Sequence, residues 1–140
     1  MDKNQFWDLI DSAREKAGNW QSMIAPLSES LKKLNGKDIL HFRRIYDEYM
    51  GLAYKEHMVT AAMFLNNGIS DDGFIDFRAW LIAQGKETYL NALADPGSLG
   101  DCPSIKKYVD EKNESIYTPM NGYKEAPSFE SFSYVSSYVY

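Results

Sequence analysis

The sequence predicts an all-α fold, an irregular bundle of about six helices followed by an extended aromatic C-terminal tail. Apolar residues recur three and four apart through successive segments, and Gly, Asn-Gly and Pro-Gly steps separate those segments. No segment before residue 120 sustains the period-two alternation of a half-buried strand.

The first helix is expected over residues 3–17, where Phe6, Leu9, Ile10, Ala13 and Ala17 form one stripe. Asp2 or Asn4 can cap its start and Gly18 can end it. Leu27, Leu31 and Leu34 share a face in the second, with Pro26 in the first turn, where a missing N–H costs nothing. From Asp38 the apolar run Ile39, Phe42, Tyr46, Tyr49, Met50, Ala53 and His57 continues to Thr60, Ala61 and Phe64. A single helix of that length is unusual in a globular domain, so a kink near His57 is expected. Asn66-Asn67-Gly68 is a stop. Ser70-Asp71-Asp72 then supplies a capping hydroxyl and two carboxylates for a helix carrying Phe74, Phe77, Trp80 and Leu81. Gly85 separates it from a short helix over residues 86–94, Asp95-Pro96-Gly97 is a turn, and a last helix starts at Cys102-Pro103-Ser104 and runs to about Tyr117.

The chain has 140 residues, of which 44% are hydrophobic and 25% charged, with a formal net charge of −5. That composition fits a soluble globular protein whose core needs neither disulfide nor metal. No apolar run is long enough to span a membrane, and the N-terminal stretch lacks the basic-then-apolar order of a secretory signal. One cysteine, Cys102, fits a cytoplasmic location. The acidic balance argues against nucleic acid or an anionic membrane as main partner. The pairs Lys32-Lys33, Arg43-Arg44 and Lys106-Lys107 read as solvated helix faces.

Composition changes after Tyr117, which divides the chain into a helical domain, residues 1–118, and an extension, residues 119–140. Residues 125–140 hold no lysine or arginine and are rich in serine and aromatics, types that favour strands. The extension is expected to lie extended across the domain's own apolar surface. A strand exchanged with a second copy or offered to a partner's sheet edge is the other reading.

The string from Ala61 to Gly85, with its Ser70-Asp71-Asp72-Gly73-Phe74 and Phe77-Arg78-Ala79-Trp80-Leu81-Ile82 motifs, followed by Ala92-Leu93-Ala94-Asp95-Pro96, resembles a bacterial family known as domain of unknown function 4240. The segments Phe6-Trp7-Asp8-Leu9-Ile10 and Phe42-Arg43-Arg44-Ile45-Tyr46 extend the resemblance over residues 1–117, and the segment beyond falls outside it. The resemblance implies no activity. Some relatives in that family sit beside a WGR module linked to nucleic-acid processes, which this chain lacks.

Asp72-Gly73-Phe74-Ile75-Asp76 mimics the centre of a calcium loop, but Gly68 and Ala79 stand where two principal ligands belong, so a capped helix start is expected and no metal site. Arg78 lies on or beside an apolar face, where a guanidinium needs a carboxylate or carbonyl; Asp71, Asp47 and Glu48 are candidates. The same residue is the natural anchor for a small anion. His57, on the apolar stripe, is expected to be a hydrogen-bonded core histidine, and His41 a surface one, without metal-ligand spacing between them. Cys102 reads as an inert thiol at a helix start. Neither a nucleophile elbow nor a glycine-rich phosphate loop occurs.

These signs favour a small cytoplasmic protein-interaction or regulatory module without catalysis or cofactor, meeting a protein partner or a second copy through its tail. A binding site, if present, is expected beside Arg78, with Asp71 and Asp72 as orienting carboxylates and Trp80 and Tyr49 as walls. The alternatives are a small-molecule or anion-binding protein, including a hydrolase with His57 as base, and an immunity-type protein masking a basic partner.

Overall fold

The computed structural model describes residues 1–114 and 122–139, and every regular element among them is helical. α1 (Lys3–Ala17) starts at a capping box: the Gln5 amide donates to the Asp2 carboxylate at 2.8 Å, and the Asp2 amide donates to Gln5 Oε1 at 2.8 Å. It ends at Gly18, whose φ of +80° is the left-handed cap a glycine adopts freely. α2 (Ile24–Lys32) buries Leu27 and Leu31.

The long periodic stretch is two helices. α3 (Gly36–Leu52), capped by Asn35, gives way at Ala53, and α4 (Glu56–Asn66) restarts after Lys55 with its own phase. That phase turns Met58 into the core and leaves His57 exposed, which corrects the expectation of a core histidine. α5 (Asp71–Ala83) begins where the Ser70 hydroxyl accepts from the Gly73 amide at 3.0 Å, and it runs through the centre of the molecule. Phe77 and every residue from Ala79 to Ala83 are fully enclosed. α6 (Lys86–Ala94) and a 3₁₀ turn (Pro96–Asp101) lead to α7 (Pro103–Glu114). The end expected for that helix near Tyr117 and the expected domain boundary after residue 118 lie outside the described residues.

An aromatic cluster joins α1, α3 and α6. Phe6, Trp7, Phe42, Tyr49 and Tyr89 stack with centroids 4.9 to 5.5 Å apart, in the tilted and edge-on geometries that aromatic quadrupoles favour. The Trp7 indole donates to the Tyr49 hydroxyl at 3.0 Å, and the Tyr89 hydroxyl donates to the Tyr49 carbonyl at 2.5 Å.

The C-terminal segment covers the domain's own apolar surface, and from Glu130 it does so as helix. A second 3₁₀ turn (Glu130–Tyr134) runs into α8 (Val135–Val139), lying against α5 and α2. Phe129, Phe132 and Val135 are spaced three apart, and all three enter the common core. The expectation of an extended tail is corrected over residues 130–139 for a physical reason: strand preference measures fit to a pleated surface, and here the available surface is a helical groove. Phe129 meets Trp20 with rings 4.9 Å apart, Arg43 Nη1 donates to the Ser133 carbonyl at 2.8 Å, and the Tyr46 and Ser133 hydroxyls lie 2.9 Å apart.

Candidate functional site

Arg78 is 8% exposed and pairs with no carboxylate among the described residues. Its Nη1 donates to the Met50 carbonyl at 2.8 Å and its Nε to the Phe74 carbonyl at 3.3 Å, while its guanidinium carbon lies 4.6 Å from the Phe74 ring centre and 5.0 Å from that of Tyr54. Met50 sits in the last turn of α3, where carbonyls have no intrahelical donor and the helix dipole is negative. The last turn of α3 has no basic residue of its own, so α5 supplies the cation. Of the partners named from sequence, Asp47 pairs with Arg43 at 3.1 Å and Glu48 with Lys3 at 3.5 Å.

A crevice of about 290 Å³ opens beside this guanidinium, lined by Arg78, Asp71 and Ser70 with Tyr54, Val59, Met63, Ile69, Phe74 and Ile75. Arg78 and Asp71 are thus brought together, and Tyr54 forms the aromatic wall. Trp80 and Tyr49 do not line it: Trp80 is 0% exposed and Tyr49 belongs to the aromatic cluster. Asp72 and His57 are exposed outside the lining. In their place the crevice is lined by Tyr54 from the break between α3 and α4, by Val59 and Met63 from α4, and by Ile69 ahead of α5.

A second polar site was not foreseen. A cavity of about 470 Å³ between α1, α6 and α7 is lined by Arg14, Gln84, Glu87, Thr88, Asn91, Ser98, Asp101, Cys102, Pro103 and Ser104. Arg14 Nη1 donates to the Gln84 carbonyl at 2.5 Å, so Arg14 serves the C terminus of α5 as Arg78 serves that of α3. Among the described residues Arg14 Nε is buried without a hydrogen-bond partner. Gln84 is held at both ends, its amide nitrogen donating to the Trp80 carbonyl at 3.2 Å and its oxygen accepting from the Ser104 hydroxyl at 2.6 Å. The available sequence signal was spacing: Arg14 follows Phe6 and Ile10 at steps of four on the buried face of α1.

Burial governs the titration of both sites. It lowers the pKa of Arg14 and of Arg78 below the ordinary arginine value, and both stay cationic at neutral pH. Burial raises the Asp11 carboxyl above its usual range, opposed by the Lys86 amide that donates to it at 3.3 Å. Asp76, beneath the C-terminal segment, is raised by burial and then by the neighbouring charges of Glu130 and Asp72. Among the described residues no group of three His, Cys, Asp or Glu side chains is arranged to hold a metal ion, and no helix is long and apolar enough to cross a membrane.

No curated protein and no solved structure matches this chain. A family's sequence model does, over residues 1–140, so the match continues through the C-terminal segment that had been expected to fall outside it. The interlock of that segment with α2 and α5 gives the longer match a structural counterpart. The chain belongs to the family described as Protein of unknown function (DUF4240).

Proposed function

We propose that the protein is a cytoplasmic interaction module that docks a protein partner on the surface formed by α4 and the start of α5. The observation that carries this is Phe64, 83% exposed in the middle of a folded domain. Large exposed aromatics next to other apolar groups mark interaction sites more often than scattered surface hydrophobics do. Its neighbour Met63, together with Tyr54 and Ile75, is also exposed, and these three line the crevice that contains Arg78 and Asp71. A partner side chain entering there meets apolar walls and finds a cation and a carboxylate at the polar end, the arrangement of an anchor pocket. An anionic group on the partner would reach Arg78, which makes this crevice the place where a small anion would also compete.

Photocrosslinking from position 64 tests the proposal in cells, with a control crosslinker at exposed Glu29 on α2. The expected result is a discrete adduct from position 64, absent from position 29 and lost with Met63→Ser plus Ile75→Ser. An adduct of twice the chain mass identifies a second copy as partner. Identical adduct patterns from the two positions would overturn the proposal.

A further inference from the structure

The cavity around Arg14 lies apart from the α4–α5 surface, and its lining has a different chemistry. It has no aromatic and no branched aliphatic side chain; Cys102 and Pro103 are its least polar members, beside Thr88, Asn91, Ser98, Ser104 and Gln84. An apolar ligand gains little in such a place. Charge narrows the class further. The lining carries one cation, Arg14, and two acids, Glu87 and Asp101. A phosphate or dicarboxylate would face a net negative wall, and a plain cation would face the guanidinium.

A dipolar ligand offers a partner to each sign of charge in the lining. Arg14 is held in place by its bond to the Gln84 carbonyl, while its buried Nε has no hydrogen-bond partner among the described residues. The guanidinium is therefore positioned before any ligand arrives, which reduces the ordering cost of binding. Glu87 and Thr88 lie in the first turn of α6, whose N-cap residue Gly85 offers no side-chain acceptor. Ser104 stands in the first turn of α7. Glu87 in the α6 start and Asp101, two residues ahead of α7, therefore place the acidic groups of the lining at these helix starts. The volume, about 470 Å³, is in the range of small-molecule sites. We propose that the cavity between α1, α6 and α7 binds a small zwitterion, a free α-amino acid, with its carboxylate toward Arg14 and its ammonium toward Glu87 and Asp101.

The test is titration of the full chain with glycine, L-serine and L-glutamine, with acetate and methylammonium as one-pole controls, followed by the ¹⁵N–¹H amide signals of Glu87, Thr88 and Ser104 and the side-chain Nε–H of Arg14. At least one amino acid is expected to shift these signals saturably and to raise the melting temperature by about 2 °C or more at about 10 mM. Asp101→Asn and Thr88→Val, which leave the Arg14–Gln84 contact alone, are each expected to weaken that binding about tenfold. The proposal fails if no amino acid moves the signals, if acetate moves them as much as glycine does, or if both variants bind as the parent does.

Discussion

The Arg78 guanidinium and the Met50 carbonyl, 2.8 Å apart, join the C terminus of α3 to the middle of α5. Arg14 repeats the device on the Gln84 carbonyl at the end of α5. In each case a helix without a basic residue in its last turn borrows a cation from a helix packed against it, so the two arginines fix how three helices dock. Replacing Arg78 with Met leaves a half-buried carbonyl without its donor and removes the cation that lies over the Tyr54 and Phe74 rings. A loss of about 2–4 kcal/mol is expected in urea unfolding. Arg78→Lys keeps the charge but cannot serve two carbonyls from one planar group, and it should fall between parent and Met.

Gly85 has φ +101°, and a Cβ there would stand 2.5 Å from Asp11 Oδ1 and 3.5 Å from Arg14 Nη1. Gly85→Ala should cost about 2 kcal/mol or more, from backbone strain and displacement of Asp11 together. The same substitution in an Asp11→Ala background should recover the part due to the carboxylate, and a double-mutant cycle by chemical unfolding separates the two.

The C-terminal segment is secured by Phe132, which is 1% exposed and whose ring centre lies 5.8 Å from that of Tyr46. Phe132→Ala should destabilise the whole domain by about 3–5 kcal/mol, as a core truncation does. Exposed Tyr138→Ala should stay within about 0.5 kcal/mol of the parent. Equal effects from the two variants, measured by thermal unfolding, would mean that the segment is not part of the cooperative unit.

Alkaline unfolding should be steep. Burial pushes the Tyr46 hydroxyl up from 10.0 to about 12, against the opposing hydrogen bond from Ser133, and burial raises Tyr89 further. Between these folded values and the unfolded value the unfolded chain has lost protons that the folded chain keeps, so stability falls as pH rises above 10. Each tyrosine contributes a slope of at most about 1.4 kcal/mol per pH unit. Tyr46→Phe should flatten the profile between pH 10 and about 12 relative to the parent, read from urea midpoints across that range.

Asp76 presents the opposite end of the pH scale. Its folded pKa is raised by burial and by Glu130 and Asp72, so the folded state gains relative stability as pH falls through that folded value toward the unfolded one. Glu130→Gln removes one of the like charges and should raise stability at neutral pH, with the gain fading once the carboxyls are protonated. Unfolding midpoints at neutral and acidic pH would show it, and a gain that persists in acid would rule out this charge effect.

Much of the fold was legible because its signals are local. The Asp2 and Ser70 caps, the Gly18 stop and the Asn66-Asn67-Gly68 terminus each depend on hydrogen bonds or dihedral angles spanning four residues or fewer. The phase of α4 was not legible, because Ala53 to Lys55 interrupt the ladder without a proline or glycine to announce it, and three residues of slip are enough to exchange His57 for Met58. The burial of Arg78 is legible from its neighbours Phe74, Phe77 and Leu81, but its partner is not: the expected carboxylates Asp71, Asp47 and Glu48 give way to the Met50 carbonyl, 28 residues away in the chain. The Arg14 cavity stayed hidden because its lining comes from three helices and the 3₁₀ turn, none of which carries a motif by itself.

By itself, then, the sequence determined that this chain would be helical, where most of its helices begin and end, and to which family it belongs. Tertiary structure alone decided which polar groups meet. The crevice of Arg78 with Asp71, the pairing of Arg14 with the end of α5, and the helical form of the C-terminal segment all depend on surfaces that exist only after the helices have packed. Periodicity records which face of an element is apolar, whereas the partner of a buried charge is selected by distance in three dimensions, where desolvation makes an unmet guanidinium or carbonyl costly.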